Sequence, residues 1–384
     1  MEQYNLKMPH AVYAGKGALE NLKDIVAVNA TKVAVFADQG IISAGLLEKP
    51  LHYIEEAGIP YEIISNLAPE PTCDQAQNVV SEFNSKNCDF IVAVGGGSVM
   101  DTAKLSSILA TDEYQVRDLL DDPKLAKKCV RSLMIPTTAG TGAEATPNAI
   151  VAVPEKQLKV GIVNDEMIPD YVLLDGEMIK NLPRKIAAST GIDAMAHAIE
   201  CFTSNKANPF SDTFALKAFD LIINNIEAAC DDKDADDARN SMLIAAFYAG
   251  VAITASGTTA VHALSYPLGG KYHIPHGVSN AIMLAPVMKF NEPVVRERFA
   301  TAYDRVNHEG DASLSVEEKS AWVLEKMCAI IRHLDIPTSL KEYGVSKDDL
   351  DFLVKAGMDV QRLLVNNMRT VTADDARELY LQIL

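Results

Sequence analysis

Asp193 and His197 stand four residues apart within Gly191-Ile192-Asp193-Ala194-Met195-Ala196-His197, so on a helix both side chains project from one face and can share a partner. His262 and His276 follow in the stretch Val261 to Gly277, the most Gly-, Pro- and His-rich part of the chain's second half. One carboxylate and three imidazoles suit Fe, Zn, Ni or Co, whereas Mg and Ca prefer all-oxygen shells. The set predicts a catalytic metal site. A plainer reading stands beside it: a local Asp–His hydrogen bond explains the same four-residue step, and a lone histidine in a helix is more often structural than a ligand. His273 competes with His276 for the last position, although Pro275 and Gly277 on either side of His276 suit a ligand fixed at a chain turn. Tyr266 and His273 are expected beside the ligands or in a substrate pocket. His10, His52, His308 and His333 have no comparable neighbourhood and are expected at the surface or in structural roles.

A second group of residues suggests a nucleotide. Asp89-Phe90-Ile91-Val92-Ala93-Val94 predicts a buried strand, Gly95-Gly96-Gly97-Ser98 follows it, and Val99 to Leu109 is helical. A strand running through glycines into a helix lets backbone N–H groups approach a phosphate at the positive helix end. The run is not G-x-G-x-x-G, and by itself it is more often a tight turn than a phosphate cradle. After the predicted strand Ser132 to Ile135 comes Pro136-Thr137-Thr138-Ala139-Gly140-Thr141-Gly142-Ala143-Glu144. Two small-residue loops, each following a strand, favour one shared crevice at the strands' C-terminal ends. Asp38 ends the strand Lys32 to Ala37. There its carboxylate can accept from an adenosine ribose diol and repel a 2′-phosphate, favouring NAD over NADP, or it can simply cap the next helix.

These sites require two kinds of scaffold. Short β-rich runs, including Tyr61-Glu62-Ile63-Ile64 and Tyr171-Val172-Leu173-Leu174, alternate with helical stretches between about Lys32 and Leu174, with Asp74 as a candidate helix cap. From Arg184 onward the pattern is helical. The predicted class is therefore α/β plus all-α: a doubly wound, Rossmann-like parallel-sheet domain over residues 1–182 and a helical metal-binding domain over 183–384, with a hinge near Asn181-Leu182-Pro183. The acidic run Asp231 to Asp237 lacks the glycine and terminal glutamate of an EF-hand loop and is expected to be a solvated inter-helix loop. The formal charge of −17 argues against nucleic acid and anionic membrane surfaces as partners. Six cysteines without a C-x-x-C pair, no basic and apolar leader at Met1 to Asn5, and no uninterrupted apolar run of spanning length point to a reducing, cytoplasmic location.

Taken together, Met8 to Gly15, Gly95 to Asp101, Ile135 to Thr146, Gly191 to Glu200, Pro275-His276-Gly277 and Val371 to Ala376 resemble the iron-dependent (group III) alcohol dehydrogenases. The resemblance implies that Asp193, His197, His262 and His276 bind Fe²⁺, with Zn²⁺ as the alternative. It also implies that Gly95, Gly96, Gly97, Ser98, Asp101, Thr137, Thr138 and Lys159 border NAD, with Asp38 at the ribose and Asn148 near the nicotinamide or substrate. It further implies a dehydroquinate synthase-like architecture, a homodimer or larger homo-oligomer, and hydride transfer between NAD(H) and a short primary alcohol or aldehyde. Two positions depart from the family pattern. Tyr266 stands where many members have a second histidine, often treated as a proton relay, leaving His273 as a substitute catalytic candidate; Ala143 replaces a common serine. Tyr266 together with Lys271 suggests a different substrate, and His262-Ala263-Leu264-Ser265-Tyr266-Pro267 resembles relatives acting on ω-hydroxy acids such as 4-hydroxybutyrate; diols and glycerol are further alternatives. A dehydroquinate synthase-like cyclase would need a cluster of Lys and Arg around the metal, and Lys271 is the one evident local cation. A non-catalytic metal- or nucleotide-binding protein is the remaining reading.

Overall fold

The computed structural model describes residues 3–156 and 158–384. The chain forms two compact units, one spanning Lys7–Leu182, the other Pro183–Leu384 with residues 3–6. The N-terminal residues thus group with the second unit and not, as expected, with the first; Tyr4 sets its ring edge-on to Phe210 at 5.5 Å.

The described residues of the first unit form eight strands: β1 (Ala11–Ala14), β2 (Val33–Phe36), β3 (Tyr61–Ile64), β4 (Phe90–Gly95), β5 (Arg131–Pro136), β6 (Asn148–Val153), β7 (Leu158–Val163) and β8 (Tyr171–Leu174). Its α-helices are α1 (Asn21–Asn29), α2 (Gln39–Ser43), α3 (Glu48–Glu56), α4 (Cys73–Ser85), α5 (Gly97–Ile108) and α6 (Val116–Asp121). Six strands form one sheet in the order β1-β8-β5-β4-β2-β3, every pair parallel. The apolar runs of β2 and β4 are buried throughout, as a parallel sheet covered on both faces requires. Val33, Val35, Val92 and Val94 face a core with Leu22 and Ile54, while Phe36, Ile91 and Ala93 face another with Phe83, Val99 and Met100. The chain leaves β2 toward β3 on one side and β4 toward β5 on the other, so the strand order reverses between β2 and β4. A crevice opens outside the carboxyl ends of strands at such a point.

Two features depart from the sequence reading. The hairpin β6–β7 is antiparallel and separate from the main sheet, and β1 joins the sheet edge with a half-exposed surface; neither has the buried apolar run that marks β2, β4 and β5. Thr72, not Asp74, caps α4, because the Thr72 hydroxyl accepts from Gln75 N–H at 3.2 Å while Gln75 Oε1 accepts from Thr72 N–H at 2.9 Å. Asp74 turns outward to Arg117 at 3.0 Å.

The second unit is built of α7 (Arg184–Phe202), α8 (Pro209–Asp231), α9 (Asp236–Ser256), α10 (Ala260–Tyr272), α11 (His276–Val306), α12 (Val316–His333), α13 (Leu350–Met358), α14 (Gln361–Leu364) and α15 (Ala373–Leu381), with no strand among its described residues. Every residue from Gly191 to Phe202 is buried, because α8, α9 and α11 pack around α7. A Cβ on Gly191 would lie 2.8 Å from Ile226 Cδ1, so the glycine permits the close approach of α8. The acidic run expected as a loop is split: Asp231 ends α8, Asp236 starts α9, and residues 232–235 connect them. No single helix among the described residues is long and apolar enough to cross a membrane.

Candidate active site

The four residues predicted as metal ligands come together. Asp193 and His197 project from adjacent turns of α7, His262 lies in the first turn of α10, and His276 is the first residue of α11 behind Pro275. One donor atom from each lies within 4.8 Å of all the others. Asp193 Oδ1 stands 3.9 Å from His197 Nε2, 3.8 Å from His262 Nε2 and 3.7 Å from His276 Nε2. Donors about 2.0–2.3 Å from a tetrahedral ion stand roughly 3.3–3.8 Å from one another, so the set fits a transition-metal ion with little adjustment. Asp193, His197 and His262 are buried, whereas the His276 side chain is 35% exposed. The exposed side leaves room for an exchangeable ligand, as a catalytic site requires. His273 lies outside the cluster: it ends α10 in a left-handed conformation, φ 55°, with its side chain exposed. Of the two histidines, His276 is the one whose ring joins the cluster.

Two residues that the sequence reading missed hold these side chains in place. Glu200, fully buried one helical turn beyond His197, accepts from Thr259 N–H at 3.0 Å, Thr259 Oγ1 at 2.7 Å and Val261 N–H at 2.8 Å, and pairs with His262 Nδ1. A carboxylate on Nδ1 fixes the tautomer and turns the Nε2 lone pair toward the cluster. Burial pushes the Glu200 carboxyl up, but His262, Thr259 and Val261 overcome it and hold the group below its ordinary range. Burial pulls His262 down, and Glu200 followed by Asp193 raise it above its ordinary value. Asn280 Nδ2 reaches Asp193 Oδ1 at 2.6 Å and approaches His262 Nε2 at 3.0 Å and His276 Nε2 at 3.2 Å; its Oδ1 accepts from Ser265 Oγ. Burial also raises Asp193, yet His197, His276 and His262 with Asn280 bring it below the ordinary carboxylate range.

In the first unit, the two predicted loops follow adjacent strands, with Gly95 opposite Pro136 in register and Thr137 N–H donating to Gly95 O at 3.0 Å. A Cβ on Gly95 would sit 2.6 Å from Val99, and one on Gly97 2.9 Å from Thr141, so both glycines serve packing. A Cβ on Gly96 would meet nothing nearer than Thr138 Oγ1 at 3.6 Å; its missing side chain leaves backbone open at the start of α5. That opening suits a phosphate, since the first-turn N–H groups have no helical partner. Lys159 joins the loop indirectly: it pairs with Glu70 at 2.6 Å, whose N–H donates to Ser98 Oγ at 3.3 Å. Asp101 points inward, paired with buried Lys104 at 2.9 Å and accepting from Ile150 N–H at 2.9 Å. Its carboxylate therefore braces α5 against β6. Asn148 opens β6, half-buried. Asp38 caps α2 by accepting from Ile41 N–H through Oδ1 at 2.9 Å, while Oδ2 takes no partner among the described residues. Capping and ribose recognition are therefore compatible. Asp38 follows β2 and Gly95 ends β4, so the two flank the point where strand order reverses.

Glu144, beside these loops, is 2% exposed, and its Oε1 has no hydrogen-bond partner among the described residues. Burial pushes its carboxyl up to about 7 from 4.5. The neutral form is favoured in the fold, so below the unfolded value there is no penalty, and stability falls as pH rises through the window from about 4.5 to about 7. The full penalty is roughly 3 kcal/mol at about 1.4 kcal/mol per pH unit. Glu144→Gln is expected to remove this dependence: its melting temperature relative to wild type should rise between about pH 5 and about pH 8, as read by calorimetry. A difference that does not change with pH would show that Glu144 is ionised in the fold.

Comparison with known proteins accords with both halves of this geometry. Residues 9–176 match the family described as iron-containing alcohol dehydrogenase, and residues 187–384 match the Fe-containing alcohol dehydrogenase family, C-terminal. The NAD-dependent methanol dehydrogenase of Bacillus methanolicus is 30% identical over 378 residues, covering 98% of each chain. A crystal structure of 1,3-propanediol oxidoreductase superposes with a TM-score of 0.93 at 27% identity, covering 100% of both chains. The structure of sulfoacetaldehyde reductase from Bifidobacterium kashiwanohense in complex with NAD⁺ gives a TM-score of 0.87 at 25% identity, covering 100% of this chain and 99% of that one. With matches over both units and a clustered Asp and three His, the chain belongs to the iron-containing alcohol dehydrogenase family, whose enzymes are metal-dependent oxidoreductases of alcohols and aldehydes.

Proposed function

We propose that this enzyme transfers a hydride between NAD(H) and a short primary alcohol or aldehyde: alcohol plus NAD⁺ gives aldehyde, NADH and a proton. The observation that carries the reading is the convergence of Asp193, His197, His262 and His276 on one point. A divalent ion held there, Fe²⁺ by family membership with Zn²⁺ as the alternative, supplies Lewis acidity that favours the alkoxide and polarises the carbonyl. The chain's own residues orient and constrain. Glu200 keeps the His262 Nδ1 proton, Asn280 ties Asp193 to the rim of the cluster, and His276 leaves the exposed side open. The Gly96 backbone at the start of α5 is proposed to receive the pyrophosphate, with Gly95, Gly97, Ser98, Thr137, Thr138 and the Lys159–Glu70 pair around it, Asn148 nearer the nicotinamide and Asp38 Oδ2 at the ribose. Asp101 is proposed to shape this region by bracing α5.

The test is NADH formation at 340 nm over a panel of short alcohols, diols and hydroxy acids, after chelation and after restoration with Fe²⁺ or Zn²⁺. Activity lost on chelation and restored by one metal is the expected result; none with any substrate or metal would overturn the reading. Association into a homodimer or larger assembly and residence in the cytoplasm belong to the same proposal. Asp38→Gly is expected to narrow the preference for NAD over NADP at least roughly 10-fold in kcat/KM, the scale of one unfavourable charge contact. An unchanged ratio would leave Asp38 with capping alone.

A further inference from the structure

Two turns into α5 from the open Gly96 backbone stands Lys104, 0% exposed and the only buried lysine among the described residues. An ammonium has three N–H donors. Four acceptors surround this one: Asp101 Oδ1 at 2.9 Å, Ala143 O at 3.0 Å, Thr146 Oγ1 at 3.3 Å and Thr146 O at 3.4 Å. No donor is left for a ligand, so Lys104 acts on its own chain. Three of the four acceptors belong to the loop that follows β5, and Asp101 turns its other oxygen to Ile150 N–H in β6. Desolvating an ammonium costs more than burying an apolar chain of similar volume, so packing alone favours methionine or leucine here. A task that needs the donors explains the lysine. The loop presents such a task. Its entry is fixed by Thr137 N–H donating to Gly95 O at 3.0 Å. Its exit, residues 143–146, seats the Glu144 carboxyl, which is 2% exposed with Oε1 unpartnered among the described residues. Burying that carboxyl carries an uncompensated desolvation cost, so this end of the loop does not close on its own account. Between the two anchors lie Thr138 and Thr141, the side chains nearest to where a Cβ would stand on Gly96 and Gly97.

We infer that Lys104 is a positioning residue for the dinucleotide: it ties the exit of the loop to α5 and thereby keeps Thr138 and Thr141 beside the glycines where the pyrophosphate is received. This assignment rests on the proposed NAD site and names the residue that holds its two loops together. Lys104 touches neither the dinucleotide nor the metal cluster. Without its ammonium, the carbonyls of Ala143 and Thr146 lose a charged donor in a buried setting, and the loop gains freedom that dinucleotide binding must then remove.

The test titrates NADH by its fluorescence into wild type, Lys104→Met, Asp101→Asn and the double variant Asp101→Asn/Lys104→Met. Lys104→Met is expected to bind NADH at least roughly 10-fold more weakly, the scale of one charge-assisted hydrogen bond. KM for NAD should rise with it, while kcat at saturating NAD and metal content stay close to wild type, and amide exchange at residues 138–145 should quicken. Lys104→Met also strands the Asp101 carboxylate, which by itself lowers stability. The double variant removes that charge, so its melting temperature should recover, yet measured against Asp101→Asn alone its NADH binding should stay weak. Wild-type NADH affinity in Lys104→Met, recovery of affinity together with stability in the double variant, or failure of both to fold overturns the inference. Wild type that binds no NADH overturns the dinucleotide reading instead; amide exchange then still decides whether Lys104 holds the loop.

Discussion

His262→Ala is expected to purify folded but without its metal. The affinity loss should exceed the roughly 10- to 100-fold typical of removing a hydrogen-bonding partner of a ligand, because a ligand itself is lost. Three donors spread over α7 and α11 remain, and a first-row divalent ion holds such a site far less tightly. The fold survives because Glu200 keeps its other partners: Thr259 N–H, Thr259 Oγ1, Val261 N–H and the N–H of residue 262 itself. The remaining cost is that of one charged hydrogen bond and a small cavity, about 2–4 kcal/mol. Elemental analysis and competition with a chromophoric chelator read the metal, circular dichroism reads the fold, and NADH formation should disappear. Wild-type metal content in the folded variant would remove His262 from the ligand set and leave it a partner of Glu200 only.

Why His262 was recognisable and Glu200 was not has a physical explanation. Asp193 and His197 form a local pattern on one helix, so their shared direction follows from the helical repeat alone. His262 and His276 stood out because histidine, proline and glycine are unusual in an otherwise plain helical region. Glu200 continues the same face, one turn beyond His197, and the spacing of 193, 197 and 200 would have revealed it as a third polar group on that face. Nothing local marks Asn280 as the residue linking Asp193, His262 and His276, because its role depends on α7, α10 and α11 meeting. The sheet shows the same division. The buried runs of β2, β4 and β5 were legible from their apolar residues, whereas β1 and the β6–β7 hairpin, partly exposed, depend on neighbours for their strand conformation. Sequence also left open whether Asp38 caps a helix or meets a ribose, and its two carboxylate oxygens explain why one residue can serve both ends.

Gly277→Ala is expected to weaken both the fold and the metal site, although helix propensity alone predicts the opposite. Alanine in place of glycine within a helix stabilises by up to about 1 kcal/mol, and Gly277 has no left-handed φ to preserve. Space decides the sign. A Cβ at Gly277 would stand 2.3 Å from Ser189 O and 2.8 Å from Ser189 C, both backbone atoms of α7 that no rotamer change can move. The first turn of α11 must therefore withdraw from α7 by about an ångström or more to reach an ordinary van der Waals contact of 3.4 Å. Strain of this kind costs about 1–3 kcal/mol. The displaced turn carries His276, whose Nε2 stands 3.7 Å from Asp193 Oδ1, while metal–ligand distances tolerate only about 0.2 Å. Metal affinity should fall at least roughly 10-fold, with dinucleotide binding in the sheet unit retained, as read by chelator competition and by NADH fluorescence. A variant with a raised melting temperature and wild-type metal affinity would mean that α7 and α11 can separate without disturbing His276, and that the glycine in Pro275-His276-Gly277 is not what seats the ligand.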